Sequence, residues 1–172
     1  MSDVAGVMRV GLVLVMAALL QAGLVAWLNI GGYVPDLMLL MAIAGGAVLG
    51  PDRGALVGFA SGLITDLMVT TPFGMWALVG CLCGAIAGSL RETAALRSGA
   101  RRWLTFAAIG VGATFTFVVL ARLTDQADLR PIDLSAAALL VGVVAAALSR
   151  PAMRAMAWAS GVDHVPGLGR AS

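Results

Sequence analysis

Few side chains in this sequence could do chemistry, and the most informative is an aspartate inside an apolar run. Asp66 ends a series of small residues, Gly54, Gly58 and Gly62, spaced four apart. On an α-helix this spacing places them on one slowly drifting stripe. An ionised carboxylate is costly against lipid, so Asp66 needs a partner, water or a function. Three interpretations are open: hydrogen bonding to a helix end or a nearby threonine, contact with a partner protein's membrane helix, or a proton or solute site.

The third interpretation is the weakest, because a transporter would show more polar groups inside its membrane segments. Other reactive side chains form no catalytic group in the sequence. His164, the only histidine, lies in a polar tail, so no Ser/His/Asp arrangement is available within the apolar segments. Cys81 and Cys83 have no further ligand nearby and suit packing better than zinc. We therefore predict a protein that is not an enzyme, with no catalytic residue, metal or cofactor.

The composition indicates an integral membrane protein. Hydrophobic residues make up 60%, charged residues 12%, and the mean hydropathy is +0.98. A chain of 172 residues holds about six crossings of ~20 residues. The positive charges are eleven arginines and no lysine, without the arginine and aromatic surface that stacks bases, so no nucleic-acid partner is expected.

The expected fold is all-α: a compact bundle of six transmembrane helices in one membrane domain over residues 1–160. The predicted helices cover about 9–27, 35–49, 55–69, 75–90, 103–121 and 134–149. Pro151 either ends the sixth helix or starts a short interfacial helix over 151–159, with Met153, Met156 and Trp158 toward lipid and Arg150 and Arg154 toward headgroups. Residues 161–172 are predicted to be a polar, disordered cytosolic tail.

Small residues recur every fourth position on three predicted helices, which favours close helix packing. The third helix is expected to be the centre of the molecule. The fourth carries a second series and the sixth a weaker one, Ala138, Gly142 and Ala146. The candidate packing face for a partner helix comprises Gly54, Gly58, Gly62, Asp66, Gly80, Gly84 and Gly88.

Two further polar residues are Asp36, at the start of the second predicted helix, and Gln21, inside the first. Asp36 follows Pro35 in the first turn of the second helix, where a carboxylate caps the helix and meets its dipole. Asp36 and Asp66 are also candidate polar contacts on the outer side of the membrane. Gln21 is expected to make an interhelical hydrogen bond.

Counting arginines on alternate sides of six crossings predicts cytosolic N- and C-termini. The cytosolic side then carries nine arginines and the outside only Arg122 and Arg130. The nine are Arg9, Arg53, Arg91, Arg97, Arg101, Arg102, Arg150, Arg154 and Arg170. The loop 91–102 is assigned to topology and to anionic headgroups.

Motifs between residues 35 and 88 resemble the rod shape-determining protein MreD family. They are Pro35-Asp36-Leu37, Gly50-Pro51-x-x-Gly54, Gly58-Phe59-x-x-Gly62-Leu63-x-x-Asp66-Leu67, and Pro72-x-Gly74 followed by Ala77-Leu78. Outside this stretch only helix number and hydropathy agree, and the tail after Ser149 exceeds the usual ending.

The resemblance implies a non-enzymatic scaffold subunit of the rod complex (elongasome) in the bacterial inner membrane. It would bind MreC and support lateral peptidoglycan synthesis with RodA, a class B penicillin-binding protein and MreB. The family's fold is similar to S components of energy-coupling-factor transporters, so a vitamin-binding membrane subunit is the main alternative. A lipid or precursor flippase accessory is a third class, and homo-oligomerisation stays open.

Overall fold

The computed structural model describes residues 2–27, 36–69, 74–93, 99–123, 131–162, 164–165 and 169–170. Within these ranges the chain forms seven α-helices and one short strand pair. The elements are α1 (Ser2–Trp27), α2 (Leu37–Leu49), α3 (Pro51–Met68), α4 (Met75–Ser89), α5 (Gly99–Leu123), α6 (Pro131–Ala147), α7 (Ser149–Ser160), β1 (His164–Val165) and β2 (Gly169–Arg170). Apart from the strand pair, every described element is an α-helix, as the all-α prediction requires.

The C-terminal tail departs from the expected disorder. β1 and β2 pair antiparallel, with His164 opposite Arg170 and Val165 opposite Gly169. A pairing of this kind uses only backbone donors and acceptors, so a polar sequence can form it without an apolar face.

The core of the bundle is α2. Its sequence, LMLLMAIAGGAVL, has no polar side chain, and eleven of its thirteen residues are buried. α2 contacts α1, α3, α4 and α7, and touches α5 as well. A helix that is apolar all round has no face to give to water and is enclosed by its neighbours. The expectation that the third helix would be central is therefore wrong, and α3 packs on α2 from outside.

The connection between α2 and α3 is a single residue. Gly50 adopts φ +90°, and its N–H donates to the Gly46 carbonyl at 2.9 Å. Pro51 then begins α3, where proline's fixed φ suits the first turn. The predicted turn over residues 50–54 and the predicted helix start at 55 are thus corrected. With 18 residues, α3 is about 27 Å long at ~1.5 Å per residue.

Two of the described helices are long and apolar enough to cross a membrane, over Val4–Gly23 and Gly99–Leu123. α2 and α4 are shorter apolar helices. α1 exposes large apolar side chains along most of its length, including Val7, Met8 and Leu19. α5 begins four residues earlier than predicted, so Arg101 and Arg102 lie in its first turn and not in a loop.

A short helix, α7, begins at Ser149, two residues before the start of the possible helix over 151–159, and its environment differs from the predicted membrane surface. Met153 and Met156 are fully buried instead of facing lipid, and only Trp158 of the three apolar anchors is exposed. α7 packs against α1 and α2. Its pattern of apolar residues on one side fits a groove in the bundle as well as it fits a bilayer, and here the bundle supplies the apolar surface.

The contacts also show which helix ends lie together. Gly88 near the end of α4 lies against Gly50 and Pro51, where α2 ends and α3 begins. Gln21 in the C-terminal half of α1 bonds the start of α2, and Trp76 at the start of α4 stacks on Phe117 late in α5. Helices that follow one another in the chain, from α1 to α6, are therefore antiparallel. One end of the bundle, here called the arginine end, carries Arg9, Arg53, Arg91, Arg101, Arg102, Arg150 and Arg154.

Candidate functional site

Asp66 lies in the last turn of α3 and caps the neighbouring helix α4. Its carboxylate accepts backbone N–H bonds from Gly74 (3.0 Å), Trp76 (3.1 Å) and Ala77 (3.0 Å). Gly74, the N-cap residue of α4, has φ +100° and no side chain to satisfy these donors. The carboxylate is only 5% exposed.

This arrangement agrees with the interpretation of Asp66 as a carboxylate bound to a helix end. Charge-assisted bonds to N–H groups are stronger than neutral ones, and the negative charge opposes the positive end of the helix dipole. Thr65, the alternative partner, donates instead to the Ser61 carbonyl at 3.2 Å. Thr70 lies outside the described residues. Asp66 therefore holds the start of α4 against the last turn of α3.

The glycine series of α3 and α4 face each other. A Cβ atom at Gly58 would overlap the Gly80 carbonyl, and one at Gly80 would overlap the Gly58 carbonyl. Gly54 and Gly84 form a second reciprocal pair, and Gly62 lies against the backbone of Trp76. Each step of four residues along α3 matches a step of four in the opposite direction along α4. The two helices are thus in backbone contact along their whole shared length.

The candidate partner-helix face from the sequence is therefore an internal interface in this structure. The backbone of α4 lies against Gly54, Gly58 and Gly62. The backbone of α3, with Gly50 before it, lies against Gly80, Gly84 and Gly88. The correction has a physical reason: the two complementary series lie on helices only six residues apart in the sequence, so each finds its close-packing partner within the same chain. The weaker series on α6 meets α5, where Gly142 lies near Ala107 and Val111.

The start of α2 is capped twice. The Asp36 carboxylate accepts the Leu39 N–H at 2.9 Å, and the side-chain carbonyl of Gln21 accepts the Met38 N–H at 3.0 Å. The capping role of Asp36 and the interhelical bond of Gln21 are both confirmed. Pro35 lies outside the described residues. Asp36 and Asp66 thus both serve helix starts on the end of the bundle opposite the arginine end.

A small pocket lies between these two caps. Its volume is about 10 Å³, and it is lined by Asp36, Leu39, Ser61, Gly62, Thr65, Trp76 and Gly80. A space of that size holds about one water molecule. The Trp76 indole N–H is buried without a hydrogen-bond partner in the described part of the chain. The indole ring stacks on Phe117 with 4.4 Å between centroids, which ties α4 to α5.

Side chains that could bind a metal are dispersed over the described part of the chain. Among them, no group of three or more His, Cys, Asp or Glu side chains could hold a metal ion. Cys83 is buried in the core and Cys81 is partly exposed, both as free thiols. Their positions on α4 agree with a packing role.

Two contributors to this region escaped the sequence analysis. Gly46 on α2 lies against Gly84 and Gly54, so three helices meet in backbone contact at one level. Its signal was present, since Gly46 and Gly50 extend the four-residue spacing of α3 backwards through the turn. Trp76 had no such signal, because nothing in its neighbourhood distinguishes a stacked indole from one at the membrane surface.

The helical bundle has two helices long and apolar enough to cross a membrane, a glycine interface in backbone contact, and large apolar side chains on its outer faces, as expected of a membrane protein. The family model for rod shape-determining protein MreD matches residues 2–148, so the chain belongs to that family. Membership associates it with cell shape and with the membrane. Comparisons with curated proteins and with solved structures gave no match. The matched region ends immediately before α7.

Proposed function

We propose that the chain is a non-enzymatic scaffold subunit of the bacterial rod complex, which binds MreC in the inner membrane. In this role it supports lateral peptidoglycan synthesis together with RodA, a class B penicillin-binding protein and MreB. The observation that carries the proposal is the family match over residues 2–148, joined to a bundle held by backbone contacts between α2, α3 and α4. Such a bundle is a rigid body that presents its outer faces to partners.

The proposed topology has six crossings, α1 to α6, in a single membrane domain with α7 at the boundary and both termini cytosolic. The charge distribution supports this orientation. The arginine end carries seven arginines and, among the described side chains, only two acidic residues, Asp52 and Glu92. Asp36 and Asp66 lie at the other end. The positive-inside rule assigns the arginine end to the cytosol.

A vitamin-binding subunit, the alternative, receives less support. The pocket between Asp36, Thr65 and Trp76 holds about one water molecule, too little for a vitamin-sized solute. Both carboxylates near it already accept helix N–H groups. The scaffold is therefore the preferred function.

The partner's membrane helix must contact a face that the bundle leaves open. α1 and the outer sides of α3 and α6 expose large apolar residues, among them Leu12 (56%), Phe59 (49%) and Leu139 (66%). A photoreactive amino acid at each of these three positions tests which face MreC occupies. Trp76, partly buried against Phe117, is the matched internal position.

The test is affinity purification of the tagged chain from cells, with mass spectrometry of bound proteins and small molecules. We expect MreC in near-equal amount and a cross-link to MreC from at least one of the three outer positions, with none from position 76. Recovery of a vitamin-like solute without MreC would contradict the scaffold and favour the transporter subunit.

A further inference from the structure

α7 exposes a basic and aromatic stripe on the side that faces away from the bundle. Arg150, Arg154 and Trp158 stand four residues apart, so they share one face of the helix. All three are exposed, Trp158 to 61%. The opposite face is buried: Met153 and Met156 have no exposed surface. The helix is therefore fixed in rotation, and its stripe is held outward.

The stripe continues onto α1 and concentrates positive charge. The Arg9 guanidinium carbon lies 5.8 Å from the centre of the Trp158 ring, a cation–π distance. Arg150 is close enough to Arg102 for their charges to repel each other. Among the described residues, no carboxylate forms an ion pair with Arg9, Arg150 or Arg154. The surface thus has uncompensated charge that an anion would stabilise.

We propose that Arg9, Arg150, Arg154 and Trp158 form a binding surface for an anionic phospholipid. A guanidinium group can form a bidentate pair of hydrogen bonds with the phosphate oxygens of a headgroup, and an exposed indole suits the headgroup level of a bilayer. Clusters of arginine at a membrane boundary attract anionic lipids. α7 lies beyond the residues that the family model matches, so this surface goes further than the proposed scaffold function.

The neighbouring apolar surface favours a lipid over a protein segment. Arg9 is followed along α1 by exposed Leu12, Met16 and Leu19, which lie on successive turns. An acyl chain can run along this side while its headgroup meets the arginines. Headgroup charge and chain contact are thus provided by one continuous surface at the arginine end.

The test is native mass spectrometry of the purified full chain in a neutral detergent, titrated with dioleoylphosphatidylglycerol or dioleoylphosphatidylcholine. We expect the wild type to bind the first phosphatidylglycerol more tightly than phosphatidylcholine. The double variant Arg150→Gln/Arg154→Gln should weaken phosphatidylglycerol binding by roughly 30-fold, from about 1 kcal/mol per arginine at a membrane surface. The double variant with lysine at both positions should retain most of the affinity.

Arg122→Gln is the matched control, because Arg122 is exposed at the end of α5 opposite the arginine end. Its phosphatidylglycerol affinity should stay within about twofold of wild type. Equal wild-type affinities for the two lipids, or unchanged phosphatidylglycerol binding in the glutamine variant, would overturn the proposal. So would loss of a co-purified protein from that variant with lipid binding intact, which would assign the stripe to a protein partner. Helix content by circular dichroism verifies that the variants are folded.

Discussion

The α3–α4 and α5–α6 pairs both bring small residues into a helix contact, yet they pack in different ways. At Gly58 and Gly80 a Cβ atom would overlap a backbone carbonyl of the facing helix. At Gly142 the same atom would lie 3.1 Å from a Val111 methyl carbon and 3.3 Å from the Ala107 carbonyl. The α3–α4 contact is formed by backbone atoms of both helices, and the α5–α6 contact is formed partly by side chains.

The difference shows that four-residue spacing on one helix does not determine how closely a neighbour approaches. α3 and α4 carry glycine at matching levels of an antiparallel pair, so the two series close on each other. In the α5–α6 pair, Gly142 faces Val111 and Ala107, and Gly110 faces Val141 and Ala145, so a side chain of the opposite helix lies beside each glycine. In lipid, where helices gain little by hiding apolar surface, such backbone proximity is a main source of association.

The largest effect should follow from filling the α3–α4 contact. Gly80→Leu places a branched side chain against the Gly58 carbonyl, and the backbones must separate. We expect a loss of about 3 kcal/mol or more, because overpacking against backbone cannot be relieved by rotamer changes. Size-exclusion profiles and thermal unfolding of the purified chain measure it. Gly112→Leu on α5 is the control, since no atom lies within 4 Å of a Cβ there, and it should behave as wild type.

Removing the Asp66 cap tests what orients the same pair. Asp66→Ala leaves the N–H groups of Gly74, Trp76 and Ala77 without an acceptor, at a cost of about 2 kcal/mol. Asp66→Asn keeps an acceptor but loses the charge and should cost about half as much. Amide hydrogen exchange at these three residues should be fastest in Asp66→Ala, slower in Asp66→Asn and slowest in the wild type. Equal exchange rates in all three proteins would mean that the carboxylate does not hold α4.

The stacked rings connect the two helix pairs. Phe117→Leu keeps an apolar side chain on α5 but removes the stack on Trp76, for an expected loss of about 1 kcal/mol. A red shift and broadening of the Trp76 emission, recorded with the other three tryptophans replaced by phenylalanine, would accompany it. Unchanged emission and an unchanged unfolding temperature would show that the stack does not contribute to the contact between α4 and α5.

The smallest effect is expected at the α5–α6 contact. Gly142→Ala adds a methyl group that meets Val111 at 3.1 Å, and that side chain can shift by a few tenths of an ångström. The gain in helix propensity, up to about 1 kcal/mol, offsets the tight contact. Thermal unfolding should therefore move little. A loss as large as that of Gly80→Leu would show that the two pairs pack alike after all.

Much of the local structure was predictable from residue types. The break at Gly74, the cap at Asp36 and the close packing of helices rich in spaced glycines all follow from short-range geometry. The start of α3 at Pro51 was missed because a five-residue turn motif and a single left-handed glycine followed by proline have the same sequence. Only the φ of +90° at Gly50 distinguishes them.

The less predictable features depend on which surfaces meet. The spacing of Gly58 and Gly80 shows that some backbone comes close, but not whether it belongs to this chain or to a partner. Met153 and Met156 were assigned to lipid because an amphipathic helix buries its apolar side equally well in a bilayer or in a bundle. The lack of polar side chains in α2 indicates a central helix, whereas the glycine series of α3 favours α3 for the same position.

The most direct test uses Gly58→Leu in cells that lack MreC, with the tagged chain followed by size exclusion. If the glycine series of α3 and α4 hold each other, the variant loses its monodisperse folded peak even though no partner is present, while Gly112→Leu keeps it. A Gly58→Leu chain that is folded alone, and that fails only to co-purify MreC when MreC is supplied, would contradict an internal interface and restore this face to the partner.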